Sequence, residues 1–525
     1  DFVATQAGQA TFTVTGDNWR FFYSLIGADG TVLVDNEDHR MVRNGDSNTV
    51  TVDLSTGQRI IIKLATMIQP HHVIIGAVGI LVLAELCRRC VGIPILCVAS
   101  VFVLYAFVGA GKDLKTVIYN LFYTTTGVLG TPIGVCSTYI VLFVIFGAFL
   151  EATGIADFFI SAANSLAGWA SGGPAKVAVI SSALCGMVSG SSVGNTVTTG
   201  SITIPMMKDT GYKPQFAAAV EASASTGGQI MPPIMGAAAF LMAEYMGIPY
   251  GQVALKAILP AFLYFAGIFI AVHLEAKKLG LKGMSRDELP KMKELLPKIY
   301  LLAPLVILVV MVSTNMFTMQ FSAAIAIFVT IAVGIVNKEN RINLAKIMEA
   351  LEAGGKGTIT VAVACAMAGL VAGCITSTGL ASKLITAIVA ISGGRAIIAL
   401  VLTMLCCIVL GMGVPTTANY CIMAATCAPI LTSEAIGIPM LAAHFFVFYF
   451  GIVADLTPPV ALAAYAGAAI AQANPMKTAF TATKLAIGAF IVPYVFALNP
   501  AMLFIDTTAG EVILICITSL VGIFA

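Results

Sequence analysis

The sequence predicts a polytopic α-helical membrane protein with an internally duplicated core and a small N-terminal β-domain. Three observations carry that reading. Of 525 residues, 58% are hydrophobic and only 10% charged, against about 25% charged in ordinary soluble proteins. Two pairs of Gly-, Ser-, Thr- and Asn-rich stretches interrupt the apolar text: SGSSVGNTVTTG (189–200) with EASASTGGQIMPP (221–233), and LGMGVPTTANY (410–420) with GIVADLTPP (451–459). The first 66 residues differ from everything after them in being polar and strand-patterned.

The composition excludes a soluble enzyme of normal type. A net charge of +2, with no basic patch interleaved with aromatics, gives no reason to expect nucleic acid. The 12 Cys are scattered through apolar segments and absent from 1–66, which is buried-thiol usage and not a disulfide framework. There is no Ser–His–Asp spacing, no H-E-x-x-H, no Walker loop and no nucleotide fingerprint. No cofactor is expected, and transport would draw on an ion gradient or another subunit.

Taken in order, residues 1–66 read as strands over 10–15, 19–25, 31–34, 49–54 and 60–64, with Asp29-Gly30 as a hairpin turn. The chain opens at Asp1, Met67 follows the β-domain, and the last residues stop inside an apolar run; cut or processed ends and a junction near 66/67 are expected. Residues 67–134 hold the first spans and an interfacial segment at 111–134. The first transporter repeat covers 135–273, with an apolar stretch at 214–243. A basic loop fills 274–298, scaffold helices 299–357, the second repeat 358–477 and C-terminal helices 478–525. A crossing helix needs about 20 apolar residues, and several stretches beside the polar breaks are shorter, as re-entrant hairpins or broken helices would be. Lys and Arg crowd 275–298 and 337–356, which puts both loops in the cytoplasm and 313–318 outside. Counting one span back, the β-domain is extracytoplasmic.

The halves align as an ordered series. FGAFLEATG (146–154) resembles VAGCITSTG (371–379), and GGPAK (172–176) resembles GGRAI (393–397). Gly190 faces Gly411, Asn195 faces Thr416, and Pro232-Pro233 faces Pro458-Pro459, with offsets of 225, 221, 221, 221 and 226. A nearly constant offset argues for duplication, and for an inverted repeat if the spacer flips orientation.

Non-helical backbone at membrane depth survives only where protein covers it or it lines a cavity. Broken helices also supply oxygens to hard cations and N–H groups to anions. Ser191, Ser192, Asn195, Thr196, Thr198 and Thr199 offer side-chain oxygens beside Gly190, while Gly227 and Gly228 admit a second backbone. The parallel groups in the second half are Gly411, Gly413, Pro415, Thr416, Thr417, Asn419, Asp455 and Thr457. Small residues also let membrane helices pack, but clustering, the Pro pairs and the repetition favour a site. Intramembrane acids default to function. Asp455 stands at the second break in the position of Gln229, and Glu151 and Glu221 lie near first-half breaks. Glu221 either pairs with a polar neighbour or ends a helix facing water. Lys176 reads as an interface anchor and His444 as structural.

The blocks FGAFLEATG, GGPAKVAVISSALCGMVSGSSVGNTVTTGSITIPMMKDTGY, FAAAVEASASTGGQIMPPIMGAAAFLMAEYMGIPY, GMGVPTTANYCIMA and DLTPPVALAAYAGAAIA resemble the large membrane subunit of tripartite ATP-independent periplasmic (TRAP) transporters, more narrowly the fused permeases of the TAXI subgroup. The likeness covers about 67–500. It implies an elevator-type transporter in the bacterial inner membrane, with two re-entrant helical hairpins and sodium as the coupling ion. It also implies a TAXI-type periplasmic substrate-binding protein that delivers a small organic anion such as a dicarboxylate, 2-oxoglutarate or glutamate. Carried over residue by residue, the ion and substrate candidates are Gly190, Ser191, Ser192, Asn195 and Thr196; Thr226, Gly227, Gly228 and Gln229; Gly411, Val414, Pro415, Thr416, Thr417 and Asn419; and Asp455 and Thr457. Sodium is expected at Ser191, Asn195, Gly227, Thr417 and Asp455. Fused relatives carry a four-helix small subunit where this chain has the β-domain, so a separate small membrane subunit is a further candidate partner. The alternatives are a sodium/dicarboxylate symporter that needs no binding protein and, with less support, an intramembrane enzyme.

Overall fold

In the computed structural model the described residues are the strands within 2–66 together with 68–287, 289–314 and 317–524. They fall into two compact units, 1–78 and 79–525. In the first, β1 (Phe2–Val3), β2 (Gly8–Thr15), β3 (Phe21–Gly27), β4 (Val32–Asp35), β5 (Ser47–Leu54) and β6 (Arg59–Thr66) pair antiparallel. They make one sheet in the order β1-β6-β3-β4 and a separate β2–β5 ribbon with Gly8 opposite Leu54. The expected Asp29-Gly30 turn and the Met67 junction lie outside the described residues.

The chain then turns helical. After α1 (Pro70–Cys90) and α2 (Ile93–Leu104) comes α3 (Leu114–Tyr123), whose first turn is capped by the Asp113 carboxylate accepting the Lys115 N–H. The expected interfacial segment is thus partly helical. Next, α4 (Thr131–Val135) runs through a π turn into α5 (Val141–Ala152). Helices α6 (Ile155–Ala167), α7 (Gly173–Ser189), α8 (Ser192–Asp209), α9 (Pro214–Gly228), α10 (Ala237–Met246) and α11 (Tyr250–Leu279) complete the first half. The apolar stretch 214–243 is therefore two helices with a break between them. The turn Gly227–Ile230 and the Pro pair at 232–233 leave the chain without a helical register there.

Next come α12 (Met292–Leu295), α13 (Ala303–Thr314), α14 (Met319–Val336) and α15 (Leu344–Thr378). Part of the basic loop expected at 337–356 is already α15, opened by Asn343 accepting the Lys346 N–H. The second half contains α16 (Leu380–Ser392), α17 (Ala396–Gly411), α18 (Thr416–Thr426), α19 (Ala428–Leu431), α20 (Met440–Val453) and α21 (Leu462–Ala471), followed by α22 (Pro475–Leu485), α23 (Ile487–Leu498) and α24 (Ala509–Phe524). Pro232-Pro233 and Pro458-Pro459 are both cis.

Six helical segments among the described residues are long and apolar enough to cross a membrane: 131–152, 250–279, 292–314, 319–336, 344–378 and 475–498. Large apolar side chains such as Leu81, Val108 and Phe328 point outward, a surface suited to hydrocarbon and not to water. The helices around the breaks are the opposite. From Leu441 to Val453 every residue of α20 is buried, and α9 is buried from Ala217 to Gly228. The helices leading into the second and fourth breaks are thus covered by protein, and Ser191 at the first break lines a cavity, the two settings in which irregular backbone survives at membrane depth.

Candidate functional site

Each break is closed locally before it is joined to the others. Gly190 ends α7 in the left-handed region with its N–H on the Gly186 carbonyl. Ser191 then caps α8, its Oγ accepting the Gly194 N–H at 3.1 Å. A Cβ on Gly190 would lie 2.5 Å from the Gly236 Cα, and one on Gly186 2.6 Å from the Gly228 Cα. Only glycine lets the first break sit on the second.

The two halves meet at a hydrogen bond. Ser192 Oγ, in the first turn of α8, donates to Asp455 Oδ2 in the loop after α20, at 2.5 Å. Both side chains are buried. Gln229, at the end of α9, lies beside the same carboxylate and acts on it. Yet neither its Oε1 nor its Nε2 has a hydrogen-bond partner of ordinary geometry. The third break closes on the same place: a Cβ on Gly411, where α17 ends, would lie 2.9 Å from the Ala454 Cβ. A hydroxyl on a buried carboxylate is a charge-assisted bond, worth about 1.5–3 kcal/mol.

Two asparagines flank this junction in like settings. Asn195 donates from Nδ2 to the Ser182 carbonyl at 2.9 Å and to Ser225 Oγ at 3.1 Å. Asn419 donates from Nδ2 to the Gly451 carbonyl at 2.9 Å. Its Oδ1 is buried and has no partner, and Asn195 Oδ1 makes no hydrogen bond among the described residues. A side chain held by its nitrogen with its oxygen free is suited to a cation. The geometry also corrects the register read from the sequence. Asn419, not Thr416, has the surroundings of Asn195. Gly411 sits against Asn419 as Gly186 sits against Asn195, so Gly190 is not its counterpart. The pairs at the crossings are then offset by 224 to 226 residues, and only GGPAK with GGRAI keeps an offset of 221.

The remaining candidates divide. Thr417 is buried with its hydroxyl free of hydrogen bonds among the described residues. Val414 is buried, with its N–H on the Gly411 carbonyl, and Pro415 precedes Thr416 at the start of α18. Thr196 and Thr226 donate to carbonyls of their own helices four residues back, and Thr457, in the break after α20, donates to the Val453 carbonyl at that helix's end. Gly227 is turned away: a Cβ there would meet the Tyr264 ring at 2.2 Å, and its carbonyl accepts the Ile230 N–H. Of the five residues expected to hold sodium, Asn195, Thr417 and Asp455 each have a side-chain oxygen without a hydrogen bond among the described residues, whereas the Ser191 hydroxyl caps α8 and the Gly227 carbonyl accepts the Ile230 N–H. Lys176 is buried with Nζ 5.4 Å from the Phe269 ring centroid, and His444 is hydrogen-bonded to the Tyr420 hydroxyl at 2.7 Å.

Glu221 does not end a helix facing water. It lies inside α9, fully buried, and its carboxylate accepts from Ser182, Thr199, Thr203 and Ser225. The signal in the sequence was weak but present: Thr199 and Thr203, like Glu221 and Ser225, are spaced to share a helix face. A cavity of about 330 Å³ opens beside the first break, lined by Glu151, Phe159, Ser191, Asn195, Thr198 and Phe240 among others.

Comparison with known proteins agrees with this architecture. The family model of the tripartite ATP-independent periplasmic transporter DctM component matches residues 78–510. A C4-dicarboxylate TRAP transporter large permease protein, DctM, from Vibrio cholerae is 27% identical over 205 residues, covering 38% of this chain and 43% of that one. The isethionate TRAP transporter permease protein DctMQ of Oleidesulfovibrio alaskensis is 28% identical over 145 residues, 28% of this chain and 22% of the relative. The matched segments span less than half the length of these relatives. Among solved structures, the YdaH transporter of Alcanivorax borkumensis superposes with a TM-score of 0.57 at 15% identity, covering 78% of this chain and 99% of that one. MtrF of Neisseria gonorrhoeae does so at 0.53 and 11% identity, covering 79% and 97%. At these identities the likeness is one of fold. The relatives are transporter permeases and not enzymes. With its apolar helices, long enough to span a bilayer, and its buried polar junction, the chain belongs to the DctM-component family of tripartite ATP-independent periplasmic transporters and is a multi-pass inner-membrane protein.

Proposed function

We propose that the chain performs sodium-coupled uptake of a small organic anion delivered by a periplasmic substrate-binding protein of the TAXI type. The supporting observation is the junction itself. Two asparagines with unpartnered Oδ1 atoms flank a buried carboxylate where the breaks of both halves meet. Sodium prefers several neutral or anionic oxygens; the buried Asn419 Oδ1 is costly unless a ligand satisfies it, and Asn195 is within reach of the cavity. On this reading Asn195, Asn419, Thr417 and Asp455 supply the coupling-ion oxygens. Ser192 orients Asp455. The cavity beside Ser191 and Asn195 receives the anion, whose charge faces the N-terminal end of α8.

The like settings of Asn195 and Asn419 support a duplicated, inverted core, in which α7–α8 and α17–α18 are the two hairpins of a mobile domain. An elevator movement of that domain would carry the closed site across a static scaffold. Relatives named for C4-dicarboxylate and isethionate transport make small organic acids the first substrates to test. A small four-helix membrane subunit is a further partner on this reading.

The test is uptake into proteoliposomes holding the purified chain. Labelled dicarboxylates, 2-oxoglutarate and glutamate are supplied with and without an inward sodium gradient, and with and without the binding protein. Uptake only with both supports the proposal. Uptake with sodium alone would identify a symporter that needs no binding protein. Uptake that ignores the sodium gradient would overturn the coupling.

A further inference from the structure

The carboxylate of Glu221 serves neither the junction nor the cavity directly, yet it is the most completely enclosed acid among the described residues. It is 0% exposed. Ser182 Oγ reaches Oε1 at 2.5 Å, Ser225 Oγ reaches Oε1 at 3.1 Å, Thr203 Oγ1 reaches Oε2 at 2.5 Å, and Thr199 also donates to Oε1. The hydroxyls touch both carboxylate oxygens directly, which leaves no gap for a metal cation between them.

Nor does a charged side chain balance it. The helices packed on α9 are α7, α8, α11, α21 and α22. From α7 the facing titratable group is the Cys185 thiol, while Lys176 lies at the far end over Phe269. From α8 only Lys208, bonded to the Ala471 carbonyl, and the exposed Asp209 follow beyond Thr203. From α11 Tyr264 donates to the Ser223 carbonyl. From α21 Tyr465 donates to the Pro459 carbonyl, and the α22 lysines Lys477 and Lys484 are exposed. Two opposing effects therefore act on Glu221 alone: loss of water penalises its charge, and four O–H donors favour it.

The hydroxyls are arranged so that both forms can be satisfied. Thr203 Oγ1 is also 3.1 Å from the Thr199 carbonyl, and Thr199 Oγ1 is 2.7 Å from the Asn195 carbonyl. With the carboxylate charged, the hydroxyl hydrogens point to Glu221. When a proton adds to Oε2, the new O–H donates to Thr203 Oγ1, and the Thr203 hydrogen turns to the Thr199 carbonyl. No buried polar atom loses its partner in either state, and hydroxyls can do this because each both donates and accepts. The cage also stands one side chain from the cavity. Asn195 and Cys185 line that cavity, and Asn195 Nδ2 donates to the same Ser225 hydroxyl that donates to Glu221.

We propose that Glu221, with the hydroxyls of Ser182, Thr199, Thr203 and Ser225, is a proton-binding site of the first half, filled from the cavity beside α8. This goes beyond the sodium reading and does not depend on it. The test is infrared difference spectroscopy of the detergent-purified full chain through a pH titration, which reads the carbonyl stretch of a protonated carboxyl without any substrate. The wild type should show a titrating buried-carboxyl band. Glu221→Gln should lose that band, and Asp455→Asn should keep it. Glu221→Asp should shift its midpoint. If Glu221→Gln fails to fold, Thr203→Val should still move the midpoint by about one pH unit or more, since the charged form keeps three of its four donors while the carboxyl proton loses its acceptor. A titrating band that survives Glu221→Gln, the absence of such a band in the wild type, or an unmoved midpoint in Thr203→Val would each overturn the proposal.

Discussion

The first half buries its acid inside a helix, whereas the second buries its acid at a break. Glu221 lies two turns before Gly228 in α9, and the like position in α20 is Val447, two turns before Ala454. The cage changes with it. Where the first half has Ser182, Thr199, Thr203 and Ser225, the second has Cys407, Met423, Cys427 and Gly451, with the Cys407 and Cys427 thiols side by side. At the break the assignment reverses, to Gln229 in the first half and Asp455 in the second. What the halves share is backbone: small residues at the crossings and an asparagine held by its nitrogen. The charge is placed once in each half, where that half has built partners for it. Two halves built on like backbone crossings thus do not require like chemistry.

The largest effect should come from forcing the halves to be alike. Val447→Glu puts a carboxyl among thiols and apolar groups with no hydroxyl cage, and should cost about 3–5 kcal/mol, read as lost monodisperse protein and a lower unfolding temperature in detergent. The reverse exchange, Glu221→Val, should cost less, about 1–3 kcal/mol, because Thr199 and Thr203 can fall back on helix carbonyls. Equal losses would break the comparison.

Next in size is the crossing of the first half. Gly228→Val drives a side chain into the Gly186 backbone, where even a Cβ would lie 2.5 Å from Cα. We expect a cost of about 1–3 kcal/mol by the same thermal assay. The second half already carries Ala454 at its matching crossing, so Ala454→Gly should be milder. Thr457→Val should be smallest, within about 0.5 kcal/mol and without change in sodium activation, because that hydroxyl bonds only the Val453 carbonyl at the end of α20.

Much of this arrangement was legible in the sequence. The breaks at 190–191, 229–236, 412–415 and 454–461 fall where Gly, Pro and hydroxyl residues cluster, because those residues end helices whatever surrounds them. Asp455 stood out as an acid in apolar text. The partners did not. Ser191 and Ser192 are equivalent as letters, and only the helix start makes one a cap and the other the donor to Asp455. The Glu221 cage draws on three helices, and its contacts to Ser182, Thr199 and Thr203 span 39, 22 and 18 residues, separations no periodicity records. The register between the halves slipped because Gly190 and Gly411 both end helices, although Gly186 is the residue that crosses its neighbour as Gly411 does.

On the proposed reading the breaks of both halves converge on one cation site built around Asp455. Equilibrium binding of radiolabelled sodium to the purified full chain tests it most directly, with Asp455→Asn as the comparison and a thermal scan to verify folding. Saturable binding by the wild type, weakened at least about tenfold in a folded Asp455→Asn, about 1.4 kcal/mol of site energy, is the result the account predicts. Undiminished sodium affinity in folded Asp455→Asn would contradict it.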